Sequence, residues 1–218
     1  MDEKKLQEAK KLFDTHKYKK ACELLFGKAE GVAAAQPELE LIEGDGRKRT
    51  LEEAEAYWKS QDCEIARMKD IYAMADSLLT PEQLESIRKD CCGFWRWIIS
   101  DRLVYAGRMV SVNGGGFVEC PEYNGVLLAE VLGTQAGLAF IQALCGTKDG
   151  ADAIMRKLVK LSGMGRDSIR FWTLPMVSRK AHPLRAAGFS YSGGGFQVNG
   201  LYNLSYNGRS RGVRVRER

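Results

Sequence analysis

The chain is expected to fold as an α+β protein, a mixed and mostly antiparallel sheet flanked by helices, with a helical extension at its N-terminus. Three observations predict this. Apolar residues recur at spacings of three and four up to about residue 98, the period of a helix face. From about residue 101 they gather instead in short runs divided by glycine, proline and asparagine, the pattern of strands joined by turns. The chain has 218 residues, of which 44% are hydrophobic, enough to bury one sizeable core.

Residues 1–49 read as two short helices followed by a linker. Leu6, Ala9, Leu12 and Phe13, then Tyr18, Ala21, Leu24 and Leu25, each fall on one helix face. The pair resembles one tetratricopeptide unit. No second copy follows at a fixed period, which argues against a superhelical array. Residues 27–49 mix glycine, proline and charge, the composition of a linker.

Thr50 with Glu53 has the form of a capping box. The stripe Leu51, Ala54, Tyr57, Trp58, Ile65, Met68, Tyr72 and Ala75 predicts a helix running on to about Leu79. Thr80, Pro81 and Gln83 repeat the start signal, with proline at the first helical position. Leu84, Ile87, Cys91, Phe94, Trp95 and Ile98 extend that second helix, and Phe94, Trp95 and Trp97 are expected in the core. Leu103 to Val112, Phe117 to Cys120, Val126 to Leu132 and Leu138 to Cys145 are expected as strands of an antiparallel meander. Turns are expected at the two glycine triplets, Asn113 to Phe117 and Ser192 to Phe196, because glycine reaches positive φ without a Cβ clash.

Residues 138–206 carry the most information. The strand ending at Cys145 enters the loop Gly146, Thr147, Lys148, Asp149, Gly150. A helix with Ala153, Ile154, Leu158, Val159 and Leu161 follows, then a strand from Ile169 to Leu174. A short helix near Pro183 is closed by Gly188 and Phe189, and two strands, about Gly195 to Val198 and Leu201 to Tyr206, complete the block. This order resembles the second half of the GNAT N-acyltransferase fold. The resemblance implies acetyl-CoA as cofactor, its pyrophosphate held by the loop. Amides opening a helix bind such a group without needing a particular side chain. It places Cys145, Gly146, Thr147, Lys148, Gly150 and Ala151 at the pyrophosphate and the strand carrying Ala143 and Leu144 beside the pantetheine arm. This chain departs from the family pattern at Cys145, where a basic residue or glutamine is usual, at Lys148, where glycine is usual, and at Leu184, where a tyrosine acid is frequent.

Acyl transfer to an amine needs a base near the thioester and a proton donor for the thiolate. Glu130, in LLAEVLG, is the candidate base and Tyr191 the candidate acid; His182 is expected to cap a helix or to lie at the surface. Cys145 reads as a buried small hydrophobe rather than a nucleophile. Two functions stand: an acyl-CoA-dependent N-acyltransferase acting on an amine of a small molecule or protein, or a binding or structural protein of the same fold that engages nucleic acid or a larger assembly.

Other classes are disfavoured by composition. The N-terminus is charged, and no run reaches the roughly 18 apolar residues of a membrane span, so a cytoplasmic protein is expected. Six cysteines without CxxC spacing, and two histidines, suit reduced thiols better than disulfides or zinc. The net charge of +5 is concentrated late, at Arg209, Arg211, Arg214, Arg216 and Arg218. Residues 207–218 are therefore read as a solvated basic tail able to meet an acidic protein or nucleic acid, after a principal domain over 50–206.

Overall fold

The computed structural model describes residues 39–75, 78–91, 97–181, 183–192 and 195–215. The helices expected within residues 1–25, together with Cys22, Cys92, Phe94, Trp95, His182, Arg216 and Arg218, lie outside the described residues, as does the side chain of Trp97.

Helix starts follow the capping signals. After β1 (Leu39–Ile42), α1 (Leu51–Ser60) opens on the Thr50–Glu53 box. The Thr50 N–H donates to the Glu53 carboxylate at 2.8 Å, and the Glu53 N–H to Thr50 Oγ1 at 3.2 Å. The expected helix to Leu79 is broken. The chain turns at Asp62, which adopts a left-handed φ of 54°, forms β2 (Glu64–Ile65), and restarts as α2 (Met68–Met74). The restart has its own acceptors: Arg67 N–H donates to Asp70 and Met68 N–H to Asp101. Helix α3 (Pro81–Cys91) begins at the reciprocal Thr80–Gln83 bonds and ends earlier than expected, since Ile98 already belongs to a strand.

That strand is β3 (Trp97–Ala106), followed by β4 (Met109–Val112) and β5 (Phe117–Glu119), an antiparallel meander turned by Gly107 and by the Asn113 to Gly116 loop. The run Val126 to Leu132 divides into β6 (Asn124–Leu127) and α4 (Leu128–Leu132). The largest correction comes next, because Leu138 to Cys145 is helical. Helix α5 (Gln135–Cys145) is capped by Thr134, whose Oγ1 accepts from Gly137 N–H, and stops at Gly146 in the left-handed region. It buries Gly137, Phe140, Ile141, Leu144 and Cys145, an i, i+3, i+4, i+7, i+8 face.

Helix α6 (Ala151–Ser162) and β7 (Ile169–Trp172) are as expected, and α7 (Met176–Arg179) is a single turn. The helix expected near Pro183 is absent from the described residues; Leu184–Ser192 is the long strand β8, with Gly188 in its middle. A Cβ at Gly188 would lie 2.0 Å from the Ile98 carbonyl oxygen, so this glycine permits close strand packing and does not end a helix. The two last expected strands are one, β9 (Gly195–Tyr202). Gly200 makes no turn; it leaves room for Tyr105 and Leu103, whose atoms would stand 2.8 and 2.9 Å from a Cβ.

Seven strands form the main sheet in the order β5-β4-β3-β8-β9-β7-β6, antiparallel except for β7 with β9. The larger core joins this sheet to α2 through α6, with Ile71, Ile87, Phe140, Leu158, Phe171 and Phe189 among its members. A smaller one lies under α1, around Leu51, Trp58, Ile99 and Ala186. Beside it, β10 (Gly212–Val215) is the centre of a three-stranded sheet between β1 and β2. The basic tail is thus corrected in part. Arg211 is 1% exposed and bonded to Asp90, Arg209 also pairs with Asp90, and Arg214 pairs with Glu40. Among the described residues no helix is long and apolar enough to cross a membrane.

Candidate ligand cleft

The loop between α5 and α6 is built by short-range bonds. Thr147 N–H donates to the Gln142 carbonyl at 3.0 Å, Asp149 N–H to Thr147 Oγ1 at 3.1 Å, and the Gln142 side-chain amide to the Asp149 carbonyl at 3.0 Å. Two neighbours fix the Asp149 carboxylate: Tyr72 donates its hydroxyl at 2.8 Å, and Lys157 its ammonium at 3.2 Å. Those two bonds, Tyr72 foremost, hold the Asp149 carboxyl below the usual carboxylate range. The Lys157 ammonium also stands 4.5 Å above the Tyr72 ring.

Between this loop and α2 lies a cavity of about 520 Å³. Lys69, Asp70 and Tyr72 form one wall and Gly146, Thr147, Asp149 and Lys157 the other. The walls approach closely because Gly146 lacks a Cβ, which would sit 2.7 Å from the Lys69 Cβ. At the cleft's loop end, α6 opens on Gly150, where no side chain caps the helix and nothing lies within 4 Å of a hypothetical Cβ. Its first-turn amides, with the positive end of the helix dipole, remain available to an anion. Lys69 makes no ion pair among the described residues.

A second cavity of about 420 Å³ adjoins the first, lined by Arg67, Asn113 and Arg214 among others. Beneath it sits Asp101, 0% exposed, which accepts from Met68 N–H, from the Ser100 hydroxyl and from the Asn113 amide. Asn113 holds a left-handed φ of 49°, and its own side-chain oxygen accepts from Arg102 N–H at 2.8 Å.

The expected site residues do not all converge on this cleft. Cys145, Gly146 and Thr147 line it, with Gly150 and Ala151 just beyond at the start of α6. Lys148 is exposed and is not among the lining residues. Leu144 is core, and Ala143 packs against it. Glu130 is exposed on α4, not on a strand beside the loop. Tyr191 lies on β8, its hydroxyl donating to the Ser162 carbonyl at 3.3 Å. That carbonyl is at the last residue of α6, about 18 Å along the helix from Gly150 at a rise of 1.5 Å per residue. Neither Glu130 nor Tyr191 is among the residues that line the cleft. Burial pushes the Cys145 thiol far above its ordinary value, which suits a core residue rather than a nucleophile.

The uncapped helix start and Lys69 are the groups here that suit an anion, while Lys157 is paired with Asp149. Ala143 and Leu144, expected on a strand beside pantetheine, are on the helix α5. Lys69, Asp70, Tyr72, Asp149 and Lys157 escaped the sequence reading because each reads as an ordinary polar or stripe position in its own segment. Only the packing of α2 against α5 and α6 brings them together. Among the described residues no group of three or more His, Cys, Asp or Glu is placed to hold a metal ion. Set against family models, curated proteins and solved structures, the chain matches none.

Proposed function

We propose that this chain is a binding protein for a phosphate-bearing small molecule, taken up in the cleft between α2 and the α5–α6 loop. The observation that carries the reading is the uncapped start of α6 at Gly150 beside a cavity with Lys69 and Lys157 on its walls. Glu130 and Tyr191 lie elsewhere, which supports binding over acyl transfer. Nucleic acid is a weaker partner, because Arg209, Arg211 and Arg214 already pair with Asp90 and Glu40.

The acyl-CoA-dependent N-acyltransferase remains as a second reading, favoured by the same free helix start, which would also serve the pyrophosphate of acetyl-CoA. One experiment separates the two. Thermal unfolding is followed with inorganic pyrophosphate, ADP and acetyl-CoA. A ligand at 100 times its dissociation constant adds about 2.7 kcal/mol to stability, and pyrophosphate and ADP are both expected to raise the midpoint. Absence of a shift with all three at millimolar concentration removes both readings. Release of free thiol from acetyl-CoA in the presence of an amine establishes the transferase instead.

A further inference from the structure

Leu39, Lys69 and Asp70 line both cavities, so the two open onto a shared wall at the beginning of α2. Asp70 is half-buried there. One of its oxygens accepts from Arg67 N–H at 2.8 Å, and the other accepts no hydrogen bond among the described residues. A ligand filling either cavity meets this carboxyl.

We propose that Asp70 is the specificity-determining residue of the phosphate cleft: neutral, it donates a hydrogen bond to a ligand phosphate oxygen, and ionised, it repels that oxygen, so that affinity falls as pH rises. The inference rests on the cleft being the phosphate site named above. A protonated carboxyl is a donor and a carboxylate is an acceptor only, so one group offers a phosphate opposite interactions on the two sides of its titration.

The surroundings favour titration of this group above the ordinary aspartate range. Burial is the main influence and raises the Asp70 pKa; the Arg67 N–H and Lys69 oppose it, and Asp101 on β3 adds to it. Across the cleft, Asp149 is already held in its ionised form by Tyr72 and Lys157. On the other side, Lys59 of α1, Asp62 and Cys63 in the turn after it and Glu64 of β2 line the second cavity with Asp70, and Arg214 of β10 pairs with Glu40 at 2.9 Å. Cys145 of α5 is kept a neutral thiol by burial.

The test uses the full chain and inorganic pyrophosphate, with binding measured by calorimetry from pH 4.5 to pH 8 for wild type, Asp70→Asn and Lys69→Ala. Asparagine keeps an oxygen for the Arg67 N–H, so α2 retains its start. Because the ligand also titrates, the informative quantity is the ratio of wild-type to D70N dissociation constants. That ratio is expected to rise about tenfold across the range, the effect of about one pKa unit of differential interaction. A ratio constant with pH, while Lys69→Ala weakens binding, overturns the role of Asp70 and leaves the cleft standing. Binding unaffected by Lys69→Ala removes the phosphate site itself, and this proposal with it.

Discussion

At the scale of single residues, the most constrained polar group is Asp101. It sits beside a bulge in β3, where the register against β8 shifts between Ile99 and Asp101, and it gathers three donors from three segments: Met68 at the start of α2, Ser100 next to it, and Asn113 in the β4–β5 turn. One carboxylate thereby fixes both the first residue of α2 and the turn residue Asn113, which lines the second cavity. Asp101→Ala is expected to cost about 3 kcal/mol, because it leaves buried donors without an acceptor; urea unfolding measures it, and a loss below about 1 kcal/mol would show that water replaces the carboxylate. Asp101 was not legible as a site residue, since Ser100 and Asp101 fall between the helix expected to reach Ile98 and the strand expected from Leu103, and read as a boundary. Its partners lie 33 positions before it and 12 after it in sequence, and only the fold brings them into contact. Asp70 was hidden in a different way: its place as the third residue of α2 shows a helix cap, while its exposure to two cavities depends on β1 and α5.

At the scale of elements, the signals that rest on local bonds survived and those that rest on apolar runs did not. Thr50 with Glu53 and Thr80 with Gln83 mark two helix starts, and both boxes form with reciprocal bonds. The run LAFIQALC is equally apolar as a buried strand or a buried helix, and its length alone does not decide between them. The deciding marks were local as well: Thr134 before the run, Gly146 after it, and buried residues at helical spacing from Gly137 to Cys145. Gly188 and Gly200 misled for the opposite reason, because a glycine demanded by a close approach in mid-strand looks the same in sequence as one demanded by a turn. If the caps set these helix starts, Thr50→Ala and Thr80→Ala should each lower stability by about 1 kcal/mol. Guanidinium unfolding of the two variants and their double mutant checks this. Additivity is expected because the two caps share no hydrogen-bond partner among the described residues, and a non-additive pair would mean that α1 and α3 are coupled through the sheet.

At the scale of the whole molecule, the chain closes on itself through the segment expected to be a tail. Strand β10 pairs with β1 along Leu39 to Ile42 and with β2 at Glu64 and Ile65, so stretches read as linker, helix and tail together make one sheet. Side chains lock this end of the chain to α1 and α3. Gly212 lies so close to Trp58 that a Cβ would stand 2.3 Å from the ring, and Trp58 donates its indole N–H to Ser210 at 2.9 Å. Arg211 reaches Asp90 at 2.6 Å and Ser86 at 2.9 Å on α3, and Arg209 takes the other Asp90 oxygen at 2.7 Å. Arginine-rich composition at a chain end is normally a sign of solvation, and GVRV is too short a run to mark a strand by itself. A chain ending at residue 208 should therefore lose far more than a phosphate-binding patch. Asp90 would keep neither arginine partner, Trp58 would lose its acceptor, and β1 and β2 would lose the strand between them. Breaking a buried ion pair from one side alone costs about 3–5 kcal/mol, a large share of the roughly 5–15 kcal/mol that holds a domain of ordinary stability. The expected outcome is a truncated chain without a cooperative thermal transition, and an Asp90→Ala chain that still unfolds cooperatively at a lower midpoint. A truncated chain that melts at the wild-type midpoint would mean that the three-stranded sheet contributes nothing to the stability of the main core.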